Sequence, residues 1–324
     1  MNHTSRTVIL ATSAFLTFSN PAKANDHLNV LASIKPIHSL VSMVMGDLGT
    51  PEVLVKGAAS PHTYSLTPSQ AQDLQNADLI FWVGPDLEGF LQKPLATIGE
   101  TAKRVQLTKI SGLDQLEFRE GGAFEGHGHD DHDEDGHDDH DEDGHDDDHR
   151  HGAHSLDPHI WLSPKNTKVM LAHIAHMLGD LDPGNAATYD ANADAAALAV
   201  DDLASEIKTA LAPYGQEGFL LFHDAYQYFE NEFGLNASGA IAINPEVMPG
   251  AKRIAEIREL IARSDIKCVF SEPQFESKIV NVVIEGTGKK SVVIDPLGAS
   301  LEPGKDLYRQ LMMAMKTSFQ QCLE

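Results

Sequence analysis

The stretch PGNAATYDANADAAALAVDDLASEIKTAL, residues 183–211, decides how the rest of the chain is arranged. It is rich in alanine and unbroken, so it predicts a single helix that Asp182-Pro183 opens. At a rise of about 1.5 Å per residue it would be about 44 Å long, which exceeds one small lobe. It lacks the sustained heptads of a coiled coil. We therefore predict a long rigid helix, over residues 183–212, that links two lobes.

Apolar runs alternate with helical patterns on the N-terminal side of this helix. Strands are predicted at 28–34, 51–55, 78–83 and 104–107, and helices at 36–45, 68–76 and 87–99. Thr67-Pro68 and Ser163-Pro164 each supply an N-cap followed by a first-turn proline. The alternation of strands and helices predicts a parallel sheet in an N-terminal lobe over residues 25–182.

The same alternation returns on the C-terminal side. Strands are predicted at 218–222, 237–243, 267–270 and 291–294, and helices at 225–229, 248–263, 278–285 and 307–319. This would be a C-terminal lobe over residues 213–324. The predicted fold class is α/β, with two lobes that each contain a mostly parallel sheet flanked by helices.

The N-terminus has the features of a cleaved secretory signal over residues 1–24. A basic start precedes the apolar run Val8 to Phe18, and an Ala-x-Ala ending follows it at Ala24. The apolar run is too short for a transmembrane helix, which needs about 20 residues. The sequence therefore predicts a protein of the Gram-negative periplasm. A formal net charge of −24 argues against nucleic acid or an anionic membrane as a partner.

The chain contains two cysteines, Cys268 and Cys322. In an oxidising compartment we expect them to form a disulfide, and the alternative is two buried free thiols. A disulfide that closes this loop would stabilise the fold by about 4 kcal/mol on the chain-entropy model.

A low-complexity segment over residues 126–154 is dominated by histidine, aspartate and glutamate. Its few apolar side chains and its like charges predict a disordered loop. Imidazoles among carboxylates also offer many weak ligands for zinc or similar metals, and the alternative is a solvated acidic linker. The candidate ligands of this low-affinity loop are His127, His129, His132, His137, His140, His145, His149, His151 and His154.

A second set of candidate ligands lies where strands end or where loops meet helices. Ligands gather at the carboxyl ends of strands in open α/β sheets, and three imidazoles with one carboxylate suit tetrahedral zinc. Each residue could instead be structural, and spacing alone does not show that they are close together. The set consists of His62, His159, His223 and Asp295. We expect His38, His173 and His176 to be structural. The alternatives are a contribution of His38 to the site and a metal held by His173 and His176, whose i, i+3 spacing on one helix allows it.

Five motifs carry a resemblance that covers nearly the whole mature chain. They are Gly57-Ala-Ala-Ser-Pro-His-Thr-Tyr-Ser-Leu, Asp157-Pro-His-Ile-Trp-Leu, Phe222-His-Asp-Ala-Tyr, Phe270-Ser-Glu-Pro-Gln-Phe and Ile294-Asp-Pro-Leu-Gly, in that order. With these motifs the chain resembles the cluster A-I (or cluster 9) metal-binding proteins of bacterial ABC importers. The resemblance implies a metal ion in the cleft between the lobes. It places His62 and His159 on the first lobe, and His223 and Asp295 on the second.

The resemblance also implies the metal and the partners. The manganese branch of the family has Glu where His223 stands, so zinc is favoured. Some relatives carry Glu before the first ligand histidine, where Pro61 stands here, so Asp295 or a water would complete the shell. The implied protein is a monomeric receptor, not an enzyme, that delivers Zn²⁺ to a membrane permease driven by an ATPase. The histidine-rich loop would collect or sense zinc.

Two other functions are compatible with the residues. One is a periplasmic zinc buffer that meets no transporter. The other is a zinc hydrolase, which would need a carboxylate base such as Glu272 or Glu276 beside the metal.

Overall fold

The computed structural model of the protein describes residues 28–119, 156–242, 245 and 247–324. The predicted signal peptide and the histidine-rich loop lie outside these residues. The strands are β1 (Val30–Ala32), β2 (Glu52–Val53), β3 (Leu79–Trp82), β4 (Lys103–Gln106), β5 (Gly218–His223), β6 (Gly239–Ala242), β7 (Ile266–Ser271) and β8 (Lys290–Val293). The α-helices are α1 (Lys35–Met45), α2 (Pro68–Asn76), α3 (Gln92–Thr97), α4 (Pro164–Leu181), α5 (Ala186–Leu211), α6 (Gln227–Phe233), α7 (Ala251–Arg263), α8 (Lys278–Ile284) and α9 (Leu307–Leu323).

The strands form two separate four-stranded sheets, in the orders β2-β1-β3-β4 and β6-β5-β7-β8. Every pairing within the two sheets is parallel. Strand β3 is buried along its whole length, as expected for a parallel strand covered on both faces. The predicted fold class, two parallel sheets flanked by helices with a long helix between them, is confirmed.

Helix α5 contains 26 residues and begins at Ala186, three residues later than predicted. The preceding residues form a turn in which the Asn185 backbone N–H donates to the Asp182 carbonyl at 3.1 Å. The Asp182 carboxylate also accepts hydrogen bonds from the Asn185 amide at 2.6 Å and from the Tyr189 hydroxyl at 3.0 Å. These contacts hold the chain in a turn where the sequence pattern predicted helix.

One hydrophobic core extends through both lobes and the linking helix. The buried face of α5 includes Tyr189, Val200 and Ile207, and the helix packs on α1 and α4 and also on α6 and α9. The same cluster contains side chains from the first sheet, such as Phe81, and from the second, such as Phe270. Because the core is continuous, the boundaries at 182/183 and 212/213 stay predictions.

Polar contacts also join the two lobes. The Trp161 indole N–H donates to the Pro296 carbonyl at 2.9 Å. The buried Lys35 ammonium donates to the carbonyls of Gly298 at 3.0 Å, Ala299 at 2.8 Å and Leu301 at 3.0 Å. These bonds satisfy the buried ammonium and connect the start of α1 to the second lobe.

The predicted disulfide between Cys268 and Cys322 is present, with the two Cα atoms 5.5 Å apart. It ties β7 to the end of α9, and both cysteines are fully buried. No helix of the described part of the chain combines the length and the apolar character that a membrane crossing requires.

The prediction of a helix over residues 87–99 is wrong for its first turn. That region forms a short 3-10 turn, Gly89–Leu91, followed by α3. Glu88 is the reason, because its carboxylate accepts the Gly84 backbone N–H at 3.0 Å and its own N–H donates to the Gly84 carbonyl at 2.9 Å. This folded-back contact interrupts the helical pattern.

Candidate metal centre

The first candidate ligand, His62, lies in a 3-10 turn after β2 that spans Pro61–Thr63. Ser60 caps this turn, since its hydroxyl accepts the His62 backbone N–H at 3.3 Å. Proline at the first position of the turn fixes the backbone before the histidine. The His62 side chain is only partly buried, but its Nε2 atom is shielded from solvent.

The second candidate, His159, lies in the connection that leads into α4 and is 2% exposed. One oxygen of Asp157 accepts two hydrogen bonds from it, from the backbone N–H at 2.9 Å and from ring Nδ1 at 2.7 Å. Because Nδ1 is held by this carboxylate, Nε2 is the ring nitrogen left for a metal ion.

The third candidate, His223, is the last residue of β5 and is 4% exposed. Glu272 follows the neighbouring strand β7. Its Oε1 accepts the His223 Nδ1–H at 2.7 Å and lies 3.4 Å from the His223 backbone nitrogen. This contact directs Nε2 of His223 away from Glu272, as Asp157 does for His159.

The three histidines converge in space. One ring nitrogen from each of His62, His159 and His223 lies within 4.8 Å of the other two. The ring centroids are 5.6 Å apart for the first pair, 5.8 Å for His62 and His223, and 5.4 Å for His159 and His223. Three imidazoles grouped in this way match the histidine-rich shell of a tetrahedral zinc site.

The space that the three rings enclose fits one ion. Within the described residues, the Nε2 atoms of His62 and His223 are buried and have no hydrogen-bond partner. Burying such atoms is costly unless a ligand satisfies them. The cavity between the rings measures about 10 Å³, about what a single water-sized occupant needs.

The protonation of the cluster differs from residue to residue. Burial, together with the neighbouring histidines, lowers the pKa of His62 and of His159 well below the ordinary value. Burial is the largest influence on His223 and lowers its pKa, but the carboxylates of Glu272, Asp224 and Asp157 together raise it above the ordinary value. Burial raises the pKa of Asp157 to about 7, although the His159 backbone N–H opposes this. Two of the three imidazoles are therefore neutral near pH 7 and can bind a cation without losing a proton.

Asp295 lies outside the group of three. Its Oδ1 accepts the backbone N–H groups of Leu297 and Gly298, each at 3.0 Å, and the Gln274 amide at 2.8 Å. Its Oδ2 accepts the Ala299 N–H at 2.5 Å. The carboxylate thus organises the loop after β8. Its role as a fourth ligand stays a prediction.

The three histidines expected to be structural lie outside this group in the described chain. His38 is buried, and its Nε2 lies 2.9 Å from the Pro51 carbonyl oxygen. His173 and His176 lie on α4 with ring centroids 6.4 Å apart, and no third ligand joins them among the described residues. The nine loop histidines lie outside the described residues, so the low-affinity loop stays a prediction.

Two residues that bind candidate ligands, Asp157 and Glu272, are absent from the predicted set of metal ligands and their supports. A signal for Asp157 was present, because an acidic residue two positions before a candidate ligand can reach that ligand's Nδ1. Glu272 was considered as a hydrolase base, whereas its Oε1 is bound to the His223 ring. Both carboxylates set the orientation of a candidate ligand histidine.

Comparison with known proteins places this geometry in a family. A family model described as ZnuA, zinc-uptake complex component A, periplasmic, matches residues 30–322. The high-affinity zinc uptake system protein ZnuA of Brucella abortus (strain 2308) is 47% identical over 325 residues, with 96% of each chain covered. The protein of that name from Yersinia pestis is 36% identical over 300 residues, with 91% of each chain covered.

Solved structures share the fold. A crystal structure of ZnuA has a TM-score of 0.74 at 24% identity and covers 92% of this chain and 100% of that one. The zinc-bound structure of a ZnuA mutant lacking residues 138–173 of that protein has a TM-score of 0.71, also at 24% identity, and covers 92% of this chain and 99% of that one. With the family model and the curated relatives matching almost end to end, the chain belongs to the ZnuA family, the periplasmic component A of the zinc-uptake complex.

Proposed function

We propose that this protein is a periplasmic receptor that captures Zn²⁺ between its lobes and delivers it to the permease of an ABC importer. His62, His159 and His223 hold the ion through their Nε2 atoms. Asp295 or a water supplies the fourth ligand. The protein acts as a monomer and carries out no chemistry on the ion.

The observation that carries this proposal is the convergence of three imidazoles, two of them buried and fixed by a carboxylate. Imidazole suits zinc better than it suits manganese, magnesium or calcium, which prefer oxygen ligands. The carboxylates of Asp157 and Glu272 bind the Nδ1 side of two of the rings. Negative charge placed behind the imidazoles lowers the electrostatic cost of burying a cation between them.

The delivery step rests on family membership. The matching family is described as a periplasmic component of a zinc-uptake complex, so the partners of this chain are a membrane permease and the ATPase that drives it. The predicted low-affinity loop, residues 126–154, would collect zinc or sense its abundance at the periplasmic concentration. Cleavage of the predicted signal after residue 24 would release the mature receptor.

Calorimetric zinc titration of three proteins tests the proposal: the intact mature chain, a chain lacking residues 126–153, and a His62→Ala/His223→Ala double variant. We expect one tight site that survives the deletion and disappears in the double variant. The matched control is His173→Ala/His176→Ala, which removes two imidazoles of α4 that lie outside the cluster. It should keep the tight site.

The opposite pattern would contradict the cleft assignment. Tight binding that disappears with residues 126–153 and persists in the double variant would make a loop-based zinc buffer the better interpretation.

Coupling to transport is tested separately. Deletion of the gene should abolish zinc uptake at low zinc, and excess zinc should restore growth. Unchanged uptake would favour the buffer.

A further inference from the structure

An arginine of the first lobe is bound to two acidic residues of the second. The Arg119 Nε donates to both oxygens of Asp224, at 3.1 and 3.0 Å, and its Nη2 also donates to that carboxylate. Its Nη1 and Nη2 donate to the two oxygens of Glu230, at 2.9 and 2.8 Å. One planar guanidinium therefore engages two carboxylates, each through both of its oxygens.

This ion cluster is sheltered from solvent. The side chains of Arg119, Asp224 and Glu230 are 17%, 9% and 1% exposed. Charges removed from water to this extent are tolerated only when they are paired and hydrogen-bonded. Glu230 also accepts the Ala237 backbone N–H at 2.8 Å, so both of its oxygens are satisfied. The cluster is a fixed contact and not a fluctuating surface pair.

The second-lobe end of the cluster adjoins a candidate ligand. Asp224 directly follows His223, the last residue of β5, and Glu230 lies on α6, which begins at Gln227. A side chain that holds both acidic residues therefore holds the backbone on the C-terminal side of His223. Glu272 holds the ring of the same histidine. The two contacts act on different parts of one residue.

On the first-lobe side, the segment that precedes Arg119 is hydrogen-bonded to the residue that orients His159. The Asp157 backbone N–H donates to the Leu116 carbonyl at 2.8 Å. The Tyr228 hydroxyl accepts the Leu116 N–H at 3.0 Å and donates to the Asp157 carbonyl at 2.9 Å. The chain leading to Arg119 is thus bonded to the residue that orients His159. The cluster connects the support of one ligand to the support of another across the cleft.

We propose that Arg119 is a positioning residue that fixes His223 of the second lobe relative to His62 and His159 of the first. This inference rests on the proposed zinc site. The hydrogen bonds of the Arg119 side chain described above go to Asp224 and Glu230 and not to the candidate ligands. By clamping Asp224 and Glu230, Arg119 keeps the three nitrogens close together before the ion arrives, so that binding does not have to draw the lobes together. Losing the clamp lets His223 move relative to the other two, and zinc is then held less tightly and released sooner.

The test compares Arg119→Lys with the matched control Arg309→Lys. Lysine keeps the positive charge but cannot reproduce the planar fork. Arg309 pairs with Glu206 at 3.1 Å in an exposed contact between α9 and α5. For each protein we would measure zinc affinity, the zinc release rate into a chelator, the visible absorption spectrum of the Co²⁺ form, and the thermal midpoint with and without zinc.

We expect Arg119→Lys to weaken zinc binding at least about tenfold, the range seen when supports of metal ligands are lost. Faster release should account for most of the change. The Co²⁺ spectrum should shift, and saturating zinc should raise the thermal midpoint by less than it does in the wild type. Arg309→Lys should match the wild type in each measurement.

A lower thermal midpoint with unchanged affinity, release rate and Co²⁺ spectrum would overturn the proposal, because the cluster would then serve folding alone. If Arg119→Lys does not fold, Asp224→Asn decides the question by the same four measurements, since asparagine keeps the shape of the contact and removes one charge. Failure of the wild type to bind zinc tightly would instead reject the proposed function, independently of either variant.

Discussion

The substitution Glu272→Gln isolates the electrostatic support of one ligand. Glu272 is 3% exposed, and its Oε1 lies 2.7 Å from Nδ1 of His223. Glutamine has nearly the same volume and still presents an acceptor oxygen to that N–H. The negative charge behind the imidazole is what is lost. A change in zinc affinity therefore reports the charge and not a cavity or a missing hydrogen bond.

The expected loss of affinity at high pH is about 10- to 100-fold, as found for supports of metal-bound histidines. That corresponds to roughly 1.4–2.7 kcal/mol, at about 1.36 kcal/mol per factor of ten. The loss should depend on pH, because burial lowers the pKa of His223 while Glu272 raises it above the ordinary value. Without the Glu272 carboxylate its raising contribution is lost, only the raising contributions of Asp224 and Asp157 oppose burial, and the pKa of His223 falls. Protons then compete with zinc at His223 more strongly in the wild type than in the variant. The difference in zinc affinity between the two proteins should therefore become smaller as the pH falls.

Competition titrations against a coloured chelator at about pH 8 and about pH 6, on either side of the ordinary histidine pKa, measure both effects. The control is Glu88→Gln. Glu88 is fully buried, and in the described residues its carboxylate bonds to the Gly84 backbone and touches no imidazole. Equal affinities of Glu272→Gln and wild type at the higher pH would refute the electrostatic argument. A deficit of the same size at both pH values would refute the argument from the pKa.

Three further outcomes are expected. Of the three clustered imidazoles only that of His223 has a raised pKa. Below that pKa the logarithm of the zinc dissociation constant should therefore change by about one per pH unit, and not by three. Zinc titrations at several pH values measure this slope, and a slope near three would contradict the prediction. Replacing Cys268 and Cys322 by serine should lower the free energy of unfolding of the metal-free protein by about 2–4 kcal/mol, measured by urea unfolding; an unchanged midpoint and slope would contradict this. Thr67→Ala removes the capping bond from the Gln70 backbone N–H to the Thr67 hydroxyl at the start of α2 and should cost about 1 kcal/mol. Gln72→Ala on the exposed face of the same helix is the comparison in thermal unfolding.

The arrangement of elements follows closely from hydrophobic patterning. Buried parallel strands such as β3 appear in the sequence as short apolar runs between turn signals. The caps at Thr67 and Ser163 set the starts of α2 and α4 at the predicted residues. Errors occur where a side chain folds back onto the backbone, as Glu88 does onto Gly84. Such local bonds compete with a helix but leave no periodic signal.

The candidate site was only partly predictable. Placing His62, His159 and His223 at strand ends or in loops needs only the strand boundaries. The contact between His223 and Glu272 spans 49 residues and depends on β5 and β7 being neighbours in the sheet. Once that strand order is known, the two residues meet at the carboxyl edge of adjacent strands. Strand order is a tertiary property, and no motif in the sequence encodes it.

The division of the cluster between the lobes has a consequence for how zinc can leave. Helix α5 contains 26 residues, so at about 1.5 Å each it is about 39 Å long. Zinc–nitrogen distances tolerate deviations of only about 0.2 Å. A tilt of about 3° about one end, acting over a lever arm of about 20 Å (half of that helix), displaces one lobe by about 1 Å. The second lobe carries His223, so in the proposed zinc site this small rotation would break one zinc–nitrogen bond while the other two stay intact. A transporter that grips both lobes would release the ion with a slight twist, and the continuous hydrophobic core would restore the empty receptor when the grip ends.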